Sequence, residues 1–296
     1  MPGTIIAIVS PGDMGSAVGR VLGAHGYTVI TCLAGRSKRT EELARNAHIQ
    51  SVATLEELVT QADLVLSIVA PAEAVNVAEA IVGAAQAANT RVVYADCNAI
   101  APQTAQRIES LISGAGGLFI DAGIIGGPPR EGGSPPRFYV SGPQARILHE
   151  LDGKGILVRN VGDEVGRASA IKMTYAALTK GTTALQAAVL TAAESLGVSV
   201  ELQALLAEGQ GEMLKQMEGI QRTPTVAGRW IGEMEEIAAT FAAVGVTPDF
   251  HRGAAEVYRL AARTSFAKDT PEMKNPKRTT AAIVAEMAKL SNHARR

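Results

Sequence analysis

Aromatic and charged residues are scarce in this chain. Of its 296 residues, 4% are aromatic and 19% are charged, and 28 Lys and Arg against 29 Asp and Glu leave a net charge of −1. Binding to nucleic acids or anionic membranes normally requires an excess of basic residues, so neither partner is expected. A disordered chain is excluded as well, because 47% of the residues are hydrophobic, and disordered chains are poor in such residues.

Cysteine is nearly absent. Cys32 and Cys97 each lie in an apolar run and form neither a CxxC pair nor a spacing typical of metal ligands. They indicate two reduced thiols in the core of a cytoplasmic protein without a metal site. No basic segment precedes the first apolar run, so no secretory signal is expected. The most apolar stretch, residues 175–198, contains Lys180 and Glu194, which favours a buried helix over a membrane span.

The chain length predicts two domains, and the first half alternates short β-branched runs with helical patterns. Strands are predicted at residues 4–9, 27–32, 64–69 and 91–95, with further candidates at 119–121 and 138–141. Helices are predicted at residues 14–25, 39–47, 55–60, 72–87 and 102–113. Uniformly apolar strands that alternate with helices predict a parallel sheet covered on both faces. The fold class is therefore α/β, with a Rossmann-type doubly wound parallel sheet in residues 1–163.

The strand patterns end after Gly166, and an all-α C-terminal domain is expected in residues 164–296. Its helices are predicted at residues 167–196, 200–218, 229–244, 249–264 and 278–291, separated by breakers that include Gly197 and Pro224. The first of them would be about 45 Å long at 1.5 Å per residue. A helix of this length is expected to cross the domain boundary and to form a subunit contact.

A candidate phosphate-binding turn follows the first strand. Gly12 and Gly15 take the second and third glycine positions of G-x-G-x-x-G, while Ser10 replaces the first. The second glycine lets the backbone approach a pyrophosphate, the third lets helix and strand pack closely, and the helix N-terminus presents free amides. We therefore expect Gly12, Asp13, Met14 and Gly15 to bind a dinucleotide. The alternative is an ordinary tight turn between strand and helix.

Basic residues follow the second strand, where an NAD-specific site usually has an acid for the ribose 2′-hydroxyl. Arg36, Ser37, Lys38 and Arg39 stand there, and the first acid is Glu41. This pattern favours a 2′-phosphate and predicts NADP(H), bound by Arg36 and Ser37. A solvated helix start is the alternative, although cations at a helix N-terminus oppose its dipole.

Lys172 is the candidate for proton transfer. It lies on the long predicted helix among apolar or small neighbours, so its amine would be a usable proton donor or acceptor. Helical spacing places Tyr175, Thr179 and Lys180 on the same side of the helix.

Two groups of acidic and amide side chains could have either a functional role or an ordinary structural one. Asp96 and Asn98 follow a strand at the edge where such sheets bind ligands, yet either could cap the helix that begins near Pro102. Glu233, with its neighbours Glu235 and Glu236, could suggest carboxylate catalysis, but a solvated or pairing helix face is favoured.

Four ordered motifs together resemble the β-hydroxyacid dehydrogenase family, which is related to 6-phosphogluconate dehydrogenase. The matching residues are Gly12, Met14 and Gly15; Asp96, Asn98 and Pro102; Asp121, Ala122, Gly126 and Gly127; and Gly162, Gly166 and Lys172. The resemblance implies that Lys172 is the general acid/base and that the amides near Gly12 hold the pyrophosphate. It also implies that residues 69–71, with Val69 and Pro71, and Asn98 flank the cofactor. It also suggests a homodimer or tetramer assembled mainly through the helical domain, and we expect the homodimer.

The chain departs from the family at three positions. Ile125 stands where the family has Ser, Ala176 where it has Asn, and Gly232 where a late Lys falls. Each change removes a polar group that contacts substrate, so the chain resembles a divergent branch whose substrate is not assigned. The residues expected around the substrate are Ile125, Gly126, Gly127, Tyr175, Thr179 and Lys180.

The sequence thus predicts an NADP(H)-dependent oxidoreductase that transfers a hydride between nicotinamide and a hydroxy acid or related alcohol or ketone. An NADPH-dependent imine reductase is the enzymatic alternative, although these enzymes usually lack a Lys at the position of Lys172. A non-catalytic NADP-binding regulatory protein is the alternative from another class, because the groups that anchor a substrate carboxylate are missing.

Overall fold

The computed structural model describes residues 3–293, which divide into an N-terminal unit of residues 3–173 and a C-terminal unit of residues 174–293. The expected domains, 1–163 and 164–296, place the boundary ten residues earlier, and their terminal residues 1–2 and 294–296 lie outside the described residues. The functions assigned to the two domains stay predictions.

The N-terminal unit is built on one sheet in the order β3-β2-β1-β4-β5-β6-β7-β8. The strands are β1 (Ile5–Val9), β2 (Thr28–Cys32), β3 (Gln50–Val52), β4 (Leu64–Ser67), β5 (Val93–Asp96), β6 (Leu118–Ile125), β7 (Arg137–Ser141) and β8 (Leu157–Asn160). All neighbouring strands are parallel except β6 and β7, which are antiparallel.

Helices cover both faces of this sheet. They are α1 (Asp13–Ala24), α2 (Lys38–Asn46), α3 (Leu55–Gln61), α4 (Ala74–Ala87) and α5 (Pro102–Gly114). Successive residues of β1 alternate between two apolar cores: Ile6 and Ile8 belong to one, Ala7 and Val9 to the other. Because both faces are buried, the strand is apolar throughout. The prediction of a doubly wound, mainly parallel sheet is confirmed.

The sequence does not predict the strands β3 and β8, and it does not predict the antiparallel direction of β7. The edge strand β3 has only three residues, and Gln50 and Ser51 are exposed, so it lacks an apolar pattern. In β8 the last two residues, Arg159 and Asn160, are exposed. The antiparallel direction of β7 follows from a loop at residues 126–136 that returns the chain directly beside β6.

The helices of the second half begin with α6, which starts in the N-terminal unit and ends in the C-terminal unit. They are α6 (Arg167–Leu196), α7 (Ser199–Gly209), α8 (Gly211–Met217), α9 (Thr223–Ala243), α10 (Asp249–Ala262) and α11 (Thr280–His293). No helix among residues 3–293 is long and apolar enough to cross a bilayer.

Three helical predictions need correction. The single helix expected at residues 200–218 is two helices that meet at Gln210. Pro224 does not separate helices but lies in the first turn of α9, where its missing N–H costs no helical hydrogen bond. The stretch 175–198 is not buried all round, because Leu178 and Leu185 are 72% and 64% exposed.

Candidate functional site

The turn after β1 has the backbone geometry that a phosphate-binding loop requires. Ser10 adopts the left-handed conformation with φ 61°, which is the glycine-like position of the turn, and its carbonyl accepts a 2.7 Å hydrogen bond from the N–H of Gly12. A β-carbon added at Gly15 would lie 3.1 Å from Ile8 Cγ2 and 3.3 Å from the Ser10 carbonyl oxygen. A β-carbon at Gly12 would meet nothing within 4 Å. Space therefore lies before the N-terminus of α1, while helix and strand pack tightly behind it.

Asp13, the first residue of α1, forms an ion pair with Arg39 of α2. Arg36 and Lys38 are exposed beside it. Ser37 is the N-cap of α2, and its Oγ accepts a 3.2 Å hydrogen bond from the N–H of Thr40. The predicted cofactor residues Asp13, Arg36 and Ser37 therefore belong to one region around the starts of α1 and α2. Ser37 also caps α2, a role that the sequence analysis did not assign to it.

Asn98 ties the ends of β4 and β5 together. Its Oδ1 accepts a 2.6 Å hydrogen bond from the N–H of Val69, and its Nδ2 donates to Ser67 Oγ at 3.1 Å and to Asp96 Oδ2 at 2.9 Å. The capping interpretation of Asp96 and Asn98 is wrong, because the N-cap of α5 is Ala101, which forms no side-chain cap.

The loop that Asn98 holds lies at the same edge of the sheet. Val69 is half-buried, and Pro71 is buried at the start of a short 3-10 helix, residues 71–73.

Cys97 is buried between these polar residues. Burial raises the pKa of its thiol well above the ordinary value, and the charges of Asp96 and Asp121 add to the effect. The thiol therefore stays protonated at neutral pH, and it is not a nucleophile.

The strand register aligns the candidate residues at one edge of the sheet. Val9 pairs with Ser67, Ser67 with Asp96, and Asp96 with Asp121, so these four residues form a row across β1, β4, β5 and β6. The turn residue Gly12, Val69, Asn98 and Gly123 all follow this row by two or three positions. This is the carboxyl edge of the parallel strands, where such sheets bind ligands.

The start of α6 packs on β6. A β-carbon added at Gly123 would lie 2.8 Å from Lys172 Cβ and 3.0 Å from the carbonyl oxygen of Ala168. Glycine is therefore required there for the helix to approach the strand. Lys172 is half-buried above the strand.

The strand continues from this contact into the Gly-rich loop. Ile125 is buried at the end of β6, whereas Gly126 and Gly127 are exposed. Gly126 has φ 122°, and a β-carbon there would lie 3.3 Å from Pro136 Cα.

The first turn of α6 is held by side chains of the sheet. Asp121 Oδ2 accepts hydrogen bonds from the N–H groups of Gly166 at 2.9 Å and Ser169 at 3.2 Å. Ser141 Oγ accepts one from the N–H of Ala168 at 3.0 Å. Sequence reasoning placed Asp121 in a motif but missed this role, and it missed Ser141 and Ser169 altogether, because residues far apart in sequence meet here only in the fold.

In the C-terminal unit Lys180 is part of a polar cluster. Its Nζ forms an ion pair with Glu233 and lies 5.4 Å from the centre of the Trp230 ring. Its carbonyl oxygen accepts a 2.6 Å hydrogen bond from the hydroxyl of Tyr258, and burial raises the pKa of that hydroxyl. Glu233 is buried, so it does not belong to a solvated helix face. Its ion pair with Lys180 agrees with the pairing role that the sequence favoured. Sequence reasoning gave no signal for Trp230.

Two further candidates lie on the same helix in this unit. Tyr175 is 48% exposed, and the exposed Thr179 donates its hydroxyl to the carbonyl oxygen of Tyr175 at 3.1 Å. The substrate roles predicted for Tyr175, Thr179 and Lys180 stay predictions.

Two family models match the chain. The NAD binding domain of 6-phosphogluconate dehydrogenase matches residues 5–149, and a domain of unknown function matches residues 193–261. An uncharacterised 28.5 kDa protein of Methanothermus fervidus is 30% identical over 184 residues, which are 62% of this chain and 69% of that protein.

Solved structures resemble the chain over most of its length. The conserved protein MTH1747 of unknown function, described as structurally similar to 3-hydroxyacid dehydrogenases, is 30% identical with a TM-score of 0.61, and the match covers 88% of this chain and 100% of that one. A 3-hydroxyisobutyrate dehydrogenase of Mycobacterium tuberculosis is 19% identical with a TM-score of 0.64, covering 97% and 99%. An imine reductase of Bacillus cereus is 18% identical with a TM-score of 0.51, covering 90% and 96%. The last two share the fold.

Proposed function

This chain belongs to the β-hydroxyacid dehydrogenase family of NAD-binding oxidoreductases related to 6-phosphogluconate dehydrogenase, and from that premise we propose that it transfers a hydride between NADP(H) and a hydroxy acid or a related alcohol or ketone. One observation carries the proposal. Lys172 lies against Gly123, which follows the row of aligned residues at the carboxyl edge of the sheet. The side-chain stem of Lys172, whose amine we propose as the proton-transferring group, is thereby next to the edge at which this fold binds its cofactor.

The residues at this edge fit a dinucleotide. The first amides of α1 have no side-chain cap from Gly12, and a helix N-terminus of this kind favours a phosphate group. The open space at Gly12 leaves room for the pyrophosphate, and Arg39 offsets the negative charge of Asp13. Gly12, Met14 and Gly15 would hold the pyrophosphate, while Val69, Pro71 and Asn98 flank the cofactor.

We assign the preference for NADP(H) to the start of α2. Arg36 and Lys38 are exposed there, and Ser37 adds a hydroxyl. A guanidinium binds a phosphate through two parallel hydrogen bonds, so Arg36 is the main group proposed for the 2′-phosphate.

The proposed chemistry divides between cofactor and protein. A bound nicotinamide supplies or accepts the hydride. Lys172 donates a proton to the substrate oxygen when a ketone is reduced and accepts it when an alcohol is oxidised. Ile125, buried on the same strand as Gly123, presents an apolar surface to the substrate, with Gly126 and Gly127 beyond it.

Substitution of the lysine tests this function. For Lys172→Ala we expect kcat to fall by about 10²–10⁴, the usual contribution of general acid–base catalysis, while NADPH affinity is retained. NADPH oxidation is followed with 3-keto acids and with cyclic imines, and the exposed Lys215→Ala is the matched control. Near-full turnover by Lys172→Ala contradicts the proposal, and so does faster reduction of the imines. Tight NADPH binding without any turnover would favour a regulatory protein.

We also propose a homodimer. The apolar residues Leu178, Leu185, Val189 and Leu196 of α6 are exposed by 72%, 64%, 38% and 76%. Their spacings of seven, four and seven residues place them on one side of a helix. A continuous apolar stripe of this kind is typical of an interaction surface, and a second copy of α6 would cover it.

A further inference from the structure

The beginning of α6 is capped by side chains of the sheet rather than by a side chain of the residues that directly precede the helix. The first four N–H groups of a helix have no partner within it, and a neighbouring Ser, Thr, Asp or Asn usually supplies one. Here Gly166 and Ser169 donate their N–H groups to Asp121 of β6, and Ala168 donates to Ser141 of β7. The position of the helix start is therefore fixed relative to two neighbouring strands.

Asp121 is the centre of this arrangement. Besides the two amides, its Oδ2 accepts the hydroxyl of Ser141 at 2.8 Å, and its Oδ1 accepts the hydroxyl of Ser169 at 2.6 Å. The side chain is fully buried. A buried carboxylate is costly unless hydrogen bonds compensate it, and four donated hydrogen bonds together with the positive end of the helix dipole provide that compensation.

The same strand then determines how closely the helix approaches. Asp121, Gly123 and Ile125 are every second residue of β6, so they lie on the same face of the strand. Lys172 follows Ser169 by about one helical turn, and its Cβ stands above Gly123, where any added β-carbon would lie 2.8 Å from it. Asp121 therefore fixes α6 along its axis, and Gly123 determines its distance from the strand.

We propose that Asp121 is the positioning residue of Lys172 and that Gly123 completes the same device. The inference rests on the proposed role of Lys172 in proton transfer. Without the carboxylate, the first turn of α6 loses its cap and the amine moves relative to the substrate oxygen. A displacement of about 1 Å can reduce turnover about 10²-fold. Cofactor binding is affected little, because Asp121 lies outside the phosphate-binding turn.

The experiment compares Asp121→Asn and Gly123→Ala with two matched controls in the same unit. Asp152→Asn alters a carboxylate that accepts the N–H of Val158 at 2.7 Å, and Gly83→Ala adds a β-carbon that meets nothing within 4 Å. Three quantities are measured: amide hydrogen exchange of residues 166–173, the dissociation constant for NADPH, and kcat per NADPH-binding site with NADP⁺ and 3-hydroxyisobutyrate as the probe.

For both test variants we expect exchange in residues 166–173 to accelerate at least about tenfold and kcat to fall about 10–100-fold. The dissociation constant for NADPH should stay within about twofold, and both controls should resemble the wild type. If Asp121→Asn does not fold, Ser141→Ala and Ser169→Ala each remove one hydroxyl of the same network and should show the same pattern with smaller changes.

Unchanged exchange in the test variants overturns the proposal, because α6 would then not depend on Asp121. Accelerated exchange with a kcat equal to that of the controls also overturns it, because the cap would then be structural only. A wild type that oxidises neither 3-hydroxyisobutyrate nor any other hydroxy acid or alcohol in a broad panel, or an active Lys172→Ala, contradicts the proposed function instead. In that case the exchange measurement still decides whether Asp121 holds the segment that carries Lys172.

Discussion

The side chain of Asn98 is bonded to the backbone of Val69, whose N–H it accepts at 2.6 Å. Its Nδ2 also donates hydrogen bonds to Ser67 and Asp96. Both N–H groups of the side-chain amide and its oxygen therefore have partners within the protein. Asn98, which is only 3% exposed, therefore holds the loop after β4 that we propose as part of the cofactor site.

Asn98→Ala should lower both stability and cofactor affinity. Loss of the amide leaves buried polar groups without a partner, which costs about 1–3 kcal/mol each in the free energy of unfolding. The measurements are denaturant unfolding and fluorescence titration with NADPH. Asn76→Ala, at an exposed residue of α4, is the control. If Asn98→Ala kept wild-type stability, the bonds would not hold the loop.

Arg36→Ala should weaken NADPH binding and leave NADH binding nearly unchanged. A hydrogen-bonded guanidinium–phosphate pair contributes about 1.5–3 kcal/mol, which corresponds to roughly 10–150-fold in the dissociation constant. Titrations with both cofactors measure the effect, with the exposed Arg91→Ala as control. Equal losses for NADPH and NADH would mean that Arg36 does not read the 2′-phosphate.

Ser10→Gly should stabilise the protein. Ser10 has φ 61°, and the left-handed conformation costs an L-residue about 1–2 kcal/mol, part of which is offset by the greater freedom of glycine in the unfolded chain. We expect a net gain of about 0.5–1 kcal/mol in the free energy of unfolding. Ser10→Ala is the control, since alanine keeps the strain. A gain of the same size in Ser10→Ala would assign the effect to the hydroxyl.

Stability should fall as the pH is lowered through the ordinary range of histidine. Burial lowers the pKa of His251, and a hydrogen bond with the backbone of Ala177 opposes this effect. Between the lowered pKa and the ordinary value of 6.5 the unfolded chain binds the additional proton, so the free energy of unfolding decreases with decreasing pH.

His251→Gln should make the unfolding free energy less dependent on pH between about 7 and 5, because the substitution removes the histidine whose pKa is lowered by burial in the folded protein. Urea unfolding at several pH values gives the slope. His149→Gln, at an exposed histidine, should keep the wild-type slope. An unchanged slope in His251→Gln would be inconsistent with a lowered pKa.

Leu185→Glu should dissociate the proposed dimer. A charge in the centre of an apolar interface is costly to bury, whereas the free chain tolerates it because Leu185 is 64% exposed. Analytical ultracentrifugation measures the mass. Leu118→Glu, at a leucine that is 41% exposed at the start of β6, is the control. A monomeric wild type would contradict the dimer directly.

Local patterns predicted those elements whose sequence is uniform along their length. The bounds of α6 agree with the prediction, because Ala, Thr and Leu predominate up to Gly197 and the isolated Gly181 does not interrupt the helix. The edge strand β3 was missed, because pairing with β2 rather than its own residues makes it a strand. Pro224 suits the first turn of a helix as well as a break between helices, so its presence alone does not show where a helix ends.

For the candidate site, sequence predicted the positions that glycine spacing marks but not the partners of polar side chains. Gly12, Gly15 and Lys172 stand at the sheet edge as the motifs indicate. The capping role that the sequence allows for Asn98 is wrong, because its partners Val69 and Ser67 belong to another strand and the loop after it. The ion pair of Lys180 with Glu233 joins residues more than 50 positions apart, and no local pattern reveals such a contact.

The Asp13–Arg39 ion pair changes the charge that the segment after β2 offers to a ligand. Arg36, Lys38 and Arg39 lie in that segment, but Arg39 already forms an ion pair with Asp13 of the neighbouring helix. A 2′-phosphate that reached Arg39 would have to exchange places with Asp13 as its counterion. If this segment binds the 2′-phosphate as proposed, cofactor preference depends on competition between two anions as well as on attraction to the basic residues.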